Sequence, residues 1–217
     1  MASSVPRLCL ILYGVVWLAL AVAPRYPADW VLENIPTLVV VPGAIALHRR
    51  VGFSNRACVQ ALAFGILHAV GSHYTYSEVP LGEWLREGLG LARNHYDRIV
   101  HFAFGVLAVR PARELAFPAG TRVGHGRQLA LSVMAVTSMS VAYEILEWLV
   151  ASVADPAAGT AFLGTQGDQW DAQKDMALAT TGAVLALGAE LRDGQRWRET
   201  PPRRKALALH GRRRTGS

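Results

Sequence analysis

Two long apolar stretches constrain this chain more than any other feature. Residues 8–23 run for sixteen positions without a charge, and residues 128–154 form a longer stretch that only Glu144 and Glu147 interrupt. The hydrocarbon core of a bilayer is about 30 Å thick, which needs roughly 20 residues of helix. Only 18% of the 217 residues are charged, whereas about a quarter are charged in a typical soluble domain. The sequence therefore predicts an integral membrane protein.

Six apolar segments are candidates for membrane spans. The second contains Pro36 and Pro42 and the fourth is short, but such spans are tolerated where neighbouring helices cover the freed backbone groups. The pattern predicts an all-α, polytopic membrane helix bundle of about six transmembrane helices, in one domain over residues 1–191. The predicted spans are residues 8–23, 30–48, 57–74, 95–110, 128–153 and 174–191.

The distribution of Lys and Arg predicts the orientation. The N-terminus, the alternate loops at 49–56 and 110–127, and the C-terminal tail together hold 17 of the 22 basic residues. Cytoplasmic loops carry the excess of positive charge. We therefore expect a multi-pass protein with both termini in the cytoplasm.

The tail, residues 192–217, supplies most of the net charge of +6. We expect it to be disordered and to lie near anionic lipid. Nucleic-acid binding is not expected, because no recognition fold has room to form. Cys9 and Cys58 lack metal-type spacing and are interpreted as packing residues. The first span leaves one alternative open, since a signal peptide could also end on the small residues 21–23.

Under this topology the ionisable residues of the spans fall at the outer side of the membrane. Only His48 and Glu190 lie at cytoplasmic boundaries. Each charged residue near a span centre costs on the order of 2.5–3.5 kcal/mol, so such groups normally face a bundle interior or a wet cavity. The sequence thus predicts an outward-opening polar pocket. Its expected members are Glu33, His68, His73, Tyr74, Asp97, His101, Glu144, Glu147, Asp168, Asp171 and Asp175.

Residue spacing within three of the spans favours a divalent metal site in this pocket. Residues three or four apart share a helix face, and three faces each carry two such groups. Carboxylates and imidazoles in a cluster are suitable ligands for Zn²⁺ or Mn²⁺. The candidate ligands are Asp97 with His101, Glu144 with Glu147, and Asp171 with Asp175.

Other interpretations stay open at this point. Asp97 or Glu144 could form buried ion pairs with Arg93 or Arg98, and His68 could be a hydrogen-bonded core residue. Asp168 and Asp171 could cap the last span. The carboxylates could also form a proton or substrate relay. The loop at 75–93 predicts an interfacial amphipathic segment over the pocket, or an ordinary loop helix.

Four ordered motifs resemble the uncharacterised bacterial inner-membrane family typified by YjdF. They are HYTYSEVP (73–80), RNHYDRIVHF (93–102), YEILEW (143–148) and GDQWDAQKDM (167–176). The resemblance implies a multi-spanning membrane protein and carries no established activity. A looser pattern is similar to VanZ-like membrane proteins, but this chain has Arg98 in place of Lys and Glu147 in place of Gln.

Three functions are compatible with these features. The first is a protein that uses the pocket on an envelope lipid or a small polar ligand. As an enzyme it would be a metal-assisted hydrolase or transferase, with Arg98 stabilising anionic charge. The second is a small proton-coupled transporter, and the third is a structural protein whose polar residues specify helix pairing. The candidate catalytic residues are Asp97, Arg98, His101, Glu144 and Glu147.

Overall fold

The structure, a computed structural model, describes residues 4–153 and 163–199, with side chains through residue 192. All regular structure in these residues is helical, which confirms the all-α prediction. Among the described residues, seven helices are complete, six of them long and one short. They are α1 (Val5–Leu20), α2 (Pro27–Val51), α3 (Asn55–Tyr74), α4 (Pro80–Leu89), α5 (Tyr96–Ala116), α6 (His125–Val153) and α7 (Asp171–Glu199).

Each long helix coincides with one predicted span, and the main differences are at the ends. Helix α5 continues through Pro111 to Ala116, six residues beyond the predicted end. Helix α7 continues from the predicted end at 191 to Glu199. Polar residues past an apolar segment can remain helical, so hydropathy alone places these ends too early. Of the predicted disordered tail, residues 200–217 lie outside the described residues.

Helix α5 is the centre of the bundle, because it packs against α3, α6 and α7. Its closest neighbour is α7, which it meets at Gly105 and Gly182. A Cβ on Gly105 would overlap the carbonyl oxygen of Ala179, and a Cβ on Gly182 would overlap that of Phe102. Small residues at such crossings let two membrane helices approach at backbone distance. This contact fixes the first turns of α5 and α7 beside each other.

Helix α1 packs along α3 at the edge of the bundle. The Tyr13 ring fills the space above Gly65, where a Cβ would lie 2.8 Å from the ring. The Trp17 indole donates a hydrogen bond of 2.6 Å to the Asn34 side chain of α2. These contacts integrate the first helix into the bundle.

The outer surface of the bundle is apolar. Helices α2 and α6 are each long and apolar enough to cross a membrane, and α1 is apolar but shorter. Large side chains such as Val39 and Met134 are exposed on them. Helices α3, α5 and α7 carry more polar residues, many of which face neighbouring helices. The number of membrane spans and the orientation of the termini stay predictions.

Helix α4 lies within the segment predicted to be amphipathic. It begins at Pro80, whose fixed φ suits the first turn of a helix. On its buried side the Asn94 side chain packs directly against Gly82. A Cβ at Gly82 would overlap this side chain. Its exposed side carries Leu81, Trp84 and Leu89. The short helix therefore presents an apolar stripe away from the bundle.

Candidate metal centre at one end of the bundle

Helices α5, α6 and α7 bring an imidazole and three carboxylates together at one end of the bundle. Asp97 and His101 are one turn apart on α5, and His101 Nε2 lies 3.5 Å from Asp97 Oδ1. The same nitrogen lies 3.4 Å from Glu144 Oε1 on α6. Ligand atoms of Asp97, His101 and Asp175 all lie within 4.8 Å of one another. Residues from three different helices thus form one cluster.

The cluster is shielded from solvent and incompletely satisfied. His101 is 7% exposed and Asp175 is 2% exposed. One carboxylate oxygen of Glu144 and one of Asp175 are buried without a hydrogen-bond partner. Leaving such a group unsatisfied costs about 1–3 kcal/mol, and more when it is charged. A bound cation or a proton would remove this penalty.

Asp97 also lines a small cavity with residues of α2, α6 and the loop after α3. The cavity measures about 10 Å³, a volume that holds roughly one water molecule or ion. Glu33 and Glu147 contribute two further carboxylates to its wall. Glu33 is 3% exposed, and its Oε2 has no hydrogen-bond partner. The remaining lining residues are Thr75, Tyr76, Leu163 and Gly164.

Tyr76 enters this site through an unusual turn at the end of α3. Both Thr75 and Tyr76 have left-handed backbones, with φ of 57° and 37°, which non-glycine residues rarely adopt. The turn lays the Tyr76 ring against Gly71, where a Cβ would meet it at 2.5 Å. The Tyr76 hydroxyl is 2.5 Å from His68 Nδ1. Sequence reasoning missed Tyr76, although its place in HYTYSEVP was available as a signal.

A group of arginine–carboxylate pairs lies beside the cluster. The Arg93 guanidinium donates to both oxygens of Asp171 and to the Thr165 carbonyl at 2.9 Å. Arg98 donates to Asp168 and, at 3.3 Å, to Asp171. The sequence left open ion pairs of Arg93 or Arg98 with Asp97 or Glu144. In the structure the two arginines pair instead with Asp168, which precedes α7, and with Asp171, at its start.

Asp168 accepts hydrogen bonds from two further groups besides Arg98. Its carboxylate accepts the backbone N–H of Trp170 at 3.1 Å and the Lys174 ammonium at 2.5 Å. These hydrogen bonds, from Lys174 first, hold the pKa of Asp168 well below its usual range. Asp168 therefore stays ionised, which suits a residue that orders the start of α7.

Three of the predicted pocket residues, His68, His73 and Tyr74, do not belong to the cluster. His73 Nδ1 is 2.8 Å from the Leu20 carbonyl and joins the end of α3 to the end of α1. Tyr74 packs beside the buried side chains of Val79, Tyr96 and Val100. His68 lies behind Tyr76, as described above. These three residues contribute packing and orientation around the site.

The opposite end of the bundle has an ion-pair network that the sequence did not indicate. Arg110 was counted as a loop residue, yet it is 2% exposed, and its Nη2 lies 2.9 Å from Glu190 Oε1. Ser54 caps α3 and donates its hydroxyl to Glu114 at 2.7 Å. The network links α3, α5 and α7 below the Gly105 crossing. A charge within two turns of a helix end is not recognisable as buried from sequence alone.

Comparisons with known proteins confirm the family resemblance that the sequence predicted. Inner membrane protein YjdF of Escherichia coli strain K12 is 38% identical over 159 residues, which cover 73% of this chain and 75% of that protein. No solved structure matches the chain. The similarity to VanZ-like proteins stays a prediction. Residues 5–194 match the family described as predicted membrane protein (DUF2238), and the chain belongs to this family of inner-membrane proteins.

Proposed function

We propose that this protein binds a divalent cation, Zn²⁺ or Mn²⁺, through Asp97, His101 and Asp175, with Glu144 as a fourth ligand. The observation that carries the proposal is the convergence of the first three ligand atoms within 4.8 Å. The distances of 3.5 and 3.4 Å from His101 Nε2 to the two neighbouring carboxylates also fit. Ligands in a tetrahedron with bonds of roughly 2.1 Å are separated by about 3.4 Å.

The distribution of positive charge supports a cation rather than a purely structural role for these carboxylates. Among the described residues, no Lys or Arg lies within ion-pair distance of Asp97, Glu144 or Asp175. Asp171 and Asp168 have arginine partners, and their role is to hold α5 against α7. We therefore assign different functions to the two groups of acids, although Asp171 was among the predicted ligands and Asp168 among the predicted pocket residues.

A metal at this depth suggests a metal-assisted hydrolase or transferase, whose ligand is an envelope lipid or a small polar molecule. The cation would polarise an oxygen of the ligand or lower the pKa of a bound water. Arg98, which lies beside the cluster, would attract an anionic group of that ligand. Both roles require the predicted topology, with six spans and this end of the bundle outside.

Proton-coupled transport is the second candidate, and unsatisfied carboxylates would also suit a proton relay. The packing below the cluster favours a one-sided site instead. Helices α5 and α7 touch at backbone distance at Gly105 and Gly182. Arg110 and Glu190 then form a buried ion pair toward the other end. A transport path along this interface would have to open both.

The test is the metal content of detergent-purified protein, measured by mass spectrometry. We expect at least one Zn²⁺ or Mn²⁺ per chain in the wild type and a several-fold loss in His101→Ala and Asp175→Asn. Glu87→Gln, at an exposed position on α4, is the control because it removes an acid far from the cluster. It should keep the metal. A folded wild type that takes up no metal would contradict the proposal.

A further inference from the structure

Asp97 belongs to two groups of side chains. One is the proposed ligand cluster with His101 and Asp175. The other is the wall of the cavity of about 10 Å³, which Asp97 shares with Glu33 and Glu147. Three carboxylates from α2, α5 and α6 therefore surround a space for one small occupant. A space of this size excludes an organic ligand.

Glu33 is the residue that points to an occupant. It lies in α2 and is 3% exposed, and its Oε2 is buried without a hydrogen-bond partner. No Lys or Arg of the described chain lies within ion-pair distance of it. A buried carboxylate without a partner is strongly unfavourable unless it is neutralised or binds a metal. Glu33 otherwise has no structural reason to be charged there.

The charge balance of this end of the bundle indicates how many cations would fit. With His101 neutral, the cluster and the ion pairs beside it carry a net charge of −4. One divalent cation leaves −2, whereas two bring the cluster to neutrality. The acidic members are Glu33, Asp97, Glu144, Glu147, Asp168, Asp171 and Asp175, and the basic ones are Arg93, Arg98 and Lys174.

We propose that the outer end of the bundle is a two-cation centre, in which a second divalent cation occupies the cavity between Glu33, Asp97 and Glu147. This inference rests on the proposed function, because Asp97 is the carboxylate that both cations share. The second position offers oxygen ligands, which suit Mn²⁺ or Mg²⁺. The first position adds an imidazole, which Zn²⁺ and Mn²⁺ both accept. Two cations that share a site are about 3.5–4 Å apart.

The experiment loads the full-length, detergent-purified protein with Mn²⁺, removes free metal and counts bound Mn²⁺ per chain by mass spectrometry. Electron paramagnetic resonance then reports whether the bound ions are magnetically coupled. We expect two Mn²⁺ per chain with a coupled spectrum in the wild type. Glu33→Gln should retain one Mn²⁺ with an uncoupled spectrum, since only the second position is lost. Glu87→Gln, an exposed acid on α4, is the control and should retain two.

Each other outcome separates the two proposals. A wild type with one Mn²⁺, unchanged in Glu33→Gln, would overturn the second position and leave the proposed function standing. A wild type without Mn²⁺ and without Zn²⁺ would overturn both. Two ions that persist in Glu33→Gln would contradict the cavity as the second site. If Glu33→Gln does not elute as a folded species, Glu147→Gln takes its place with the same expected loss of one ion.

Discussion

At the scale of single residues, the acidic end of the bundle contains two kinds of carboxylate. Asp168 and Asp171 have guanidinium partners, and these charge-assisted pairs hold α7 against the start of α5. Within the described residues, Asp97 and Asp175 have no such partner, and Asp175 retains an unsatisfied buried oxygen. The first kind is complete without a ligand. The second kind requires a cation or a proton, which is why the candidate site lies with it.

Asp168 gives a prediction about pH. Its pKa is lower in the folded protein than the value of about 3.9 expected in the unfolded chain. Its ionised form therefore stabilises the fold fully above about pH 4, and this stabilisation is lost as the pH falls toward the lower, folded value. Asp168→Asn should lower the melting temperature at pH 7, and the difference from wild type should shrink as the pH falls below about 4.

Thermal unfolding in detergent at several pH values between 7 and 3 measures this difference. Glu87→Gln, at an exposed position on α4, is the control and should follow the wild type at every pH. A deficit of Asp168→Asn that stays constant down to pH 3 would show that the carboxylate charge does not contribute as described.

Residue spacing predicted part of this site and not the rest. The sequence predicted that Asp97 and His101 lie on the same face of a helix, because they are four residues apart. The partner of Asp171 was not readable, since Arg93 is 78 positions away and meets it only in the folded bundle. Tyr76 was missed because its position depends on two left-handed residues that no helical or strand periodicity encodes.

At the scale of helices, the crossing of α5 and α7 positions the site. Gly105 and Gly182 let the two backbones touch, so the acids of α5 and α7 are brought together above the contact. Hydropathy predicted both helices but could not indicate which neighbours they choose. The fourth span looked weak in the sequence because it is the central helix, whose polar residues face α3, α6 and α7 rather than lipid.

This crossing predicts the effect of adding one methyl group. Gly182→Ala would place its Cβ against the Phe102 carbonyl and 3.0 Å from the Val106 backbone nitrogen. Overpacking of this kind costs about 1–3 kcal/mol. Gly188 lies on the same helix with nothing within 4 Å of an added Cβ, so Gly188→Ala should be neutral or stabilise by up to roughly 1 kcal/mol.

Thermal unfolding of the two variants tests this account of the α5–α7 contact. Gly182→Ala should melt below the wild type and bind metal more weakly, because the ligands of α5 and α7 move apart. Gly188→Ala should do neither. Equal melting temperatures for the two variants would argue against a backbone contact at this position.

At the scale of the whole molecule, the bundle is polarised. One end holds the buried acids and imidazole, and the other holds the Arg110–Glu190 network beside the Ser54 cap. The exposed apolar surfaces of α1, α2 and α6 lie between the two ends. This arrangement fits a bilayer around the middle of the bundle. The distribution of Lys and Arg in the sequence predicts that the Arg110 end faces the cytoplasm.

The predicted orientation has a direct test. A fluorescent protein fused after residue 217 should fluoresce, because that reporter folds in the cytoplasm. Alkaline phosphatase at the same position should be inactive, because it needs the oxidising periplasm. The same two reporters fused within the loop at 75–79 should give the opposite pattern. Active phosphatase at the C-terminus would reverse the topology and place the metal site on the cytoplasmic side.

The ligand set is the central claim, and X-ray absorption of zinc-loaded protein tests it most directly. The spectrum reports the atoms bound to the metal. We predict a first shell of nitrogen and oxygen at about 2.0–2.2 Å, with the multiple scattering that a histidine ring produces. His101→Ala should lose the ring contribution or the metal itself. A sulfur-containing shell, or a histidine signal that survives in His101→Ala, would contradict the proposed site.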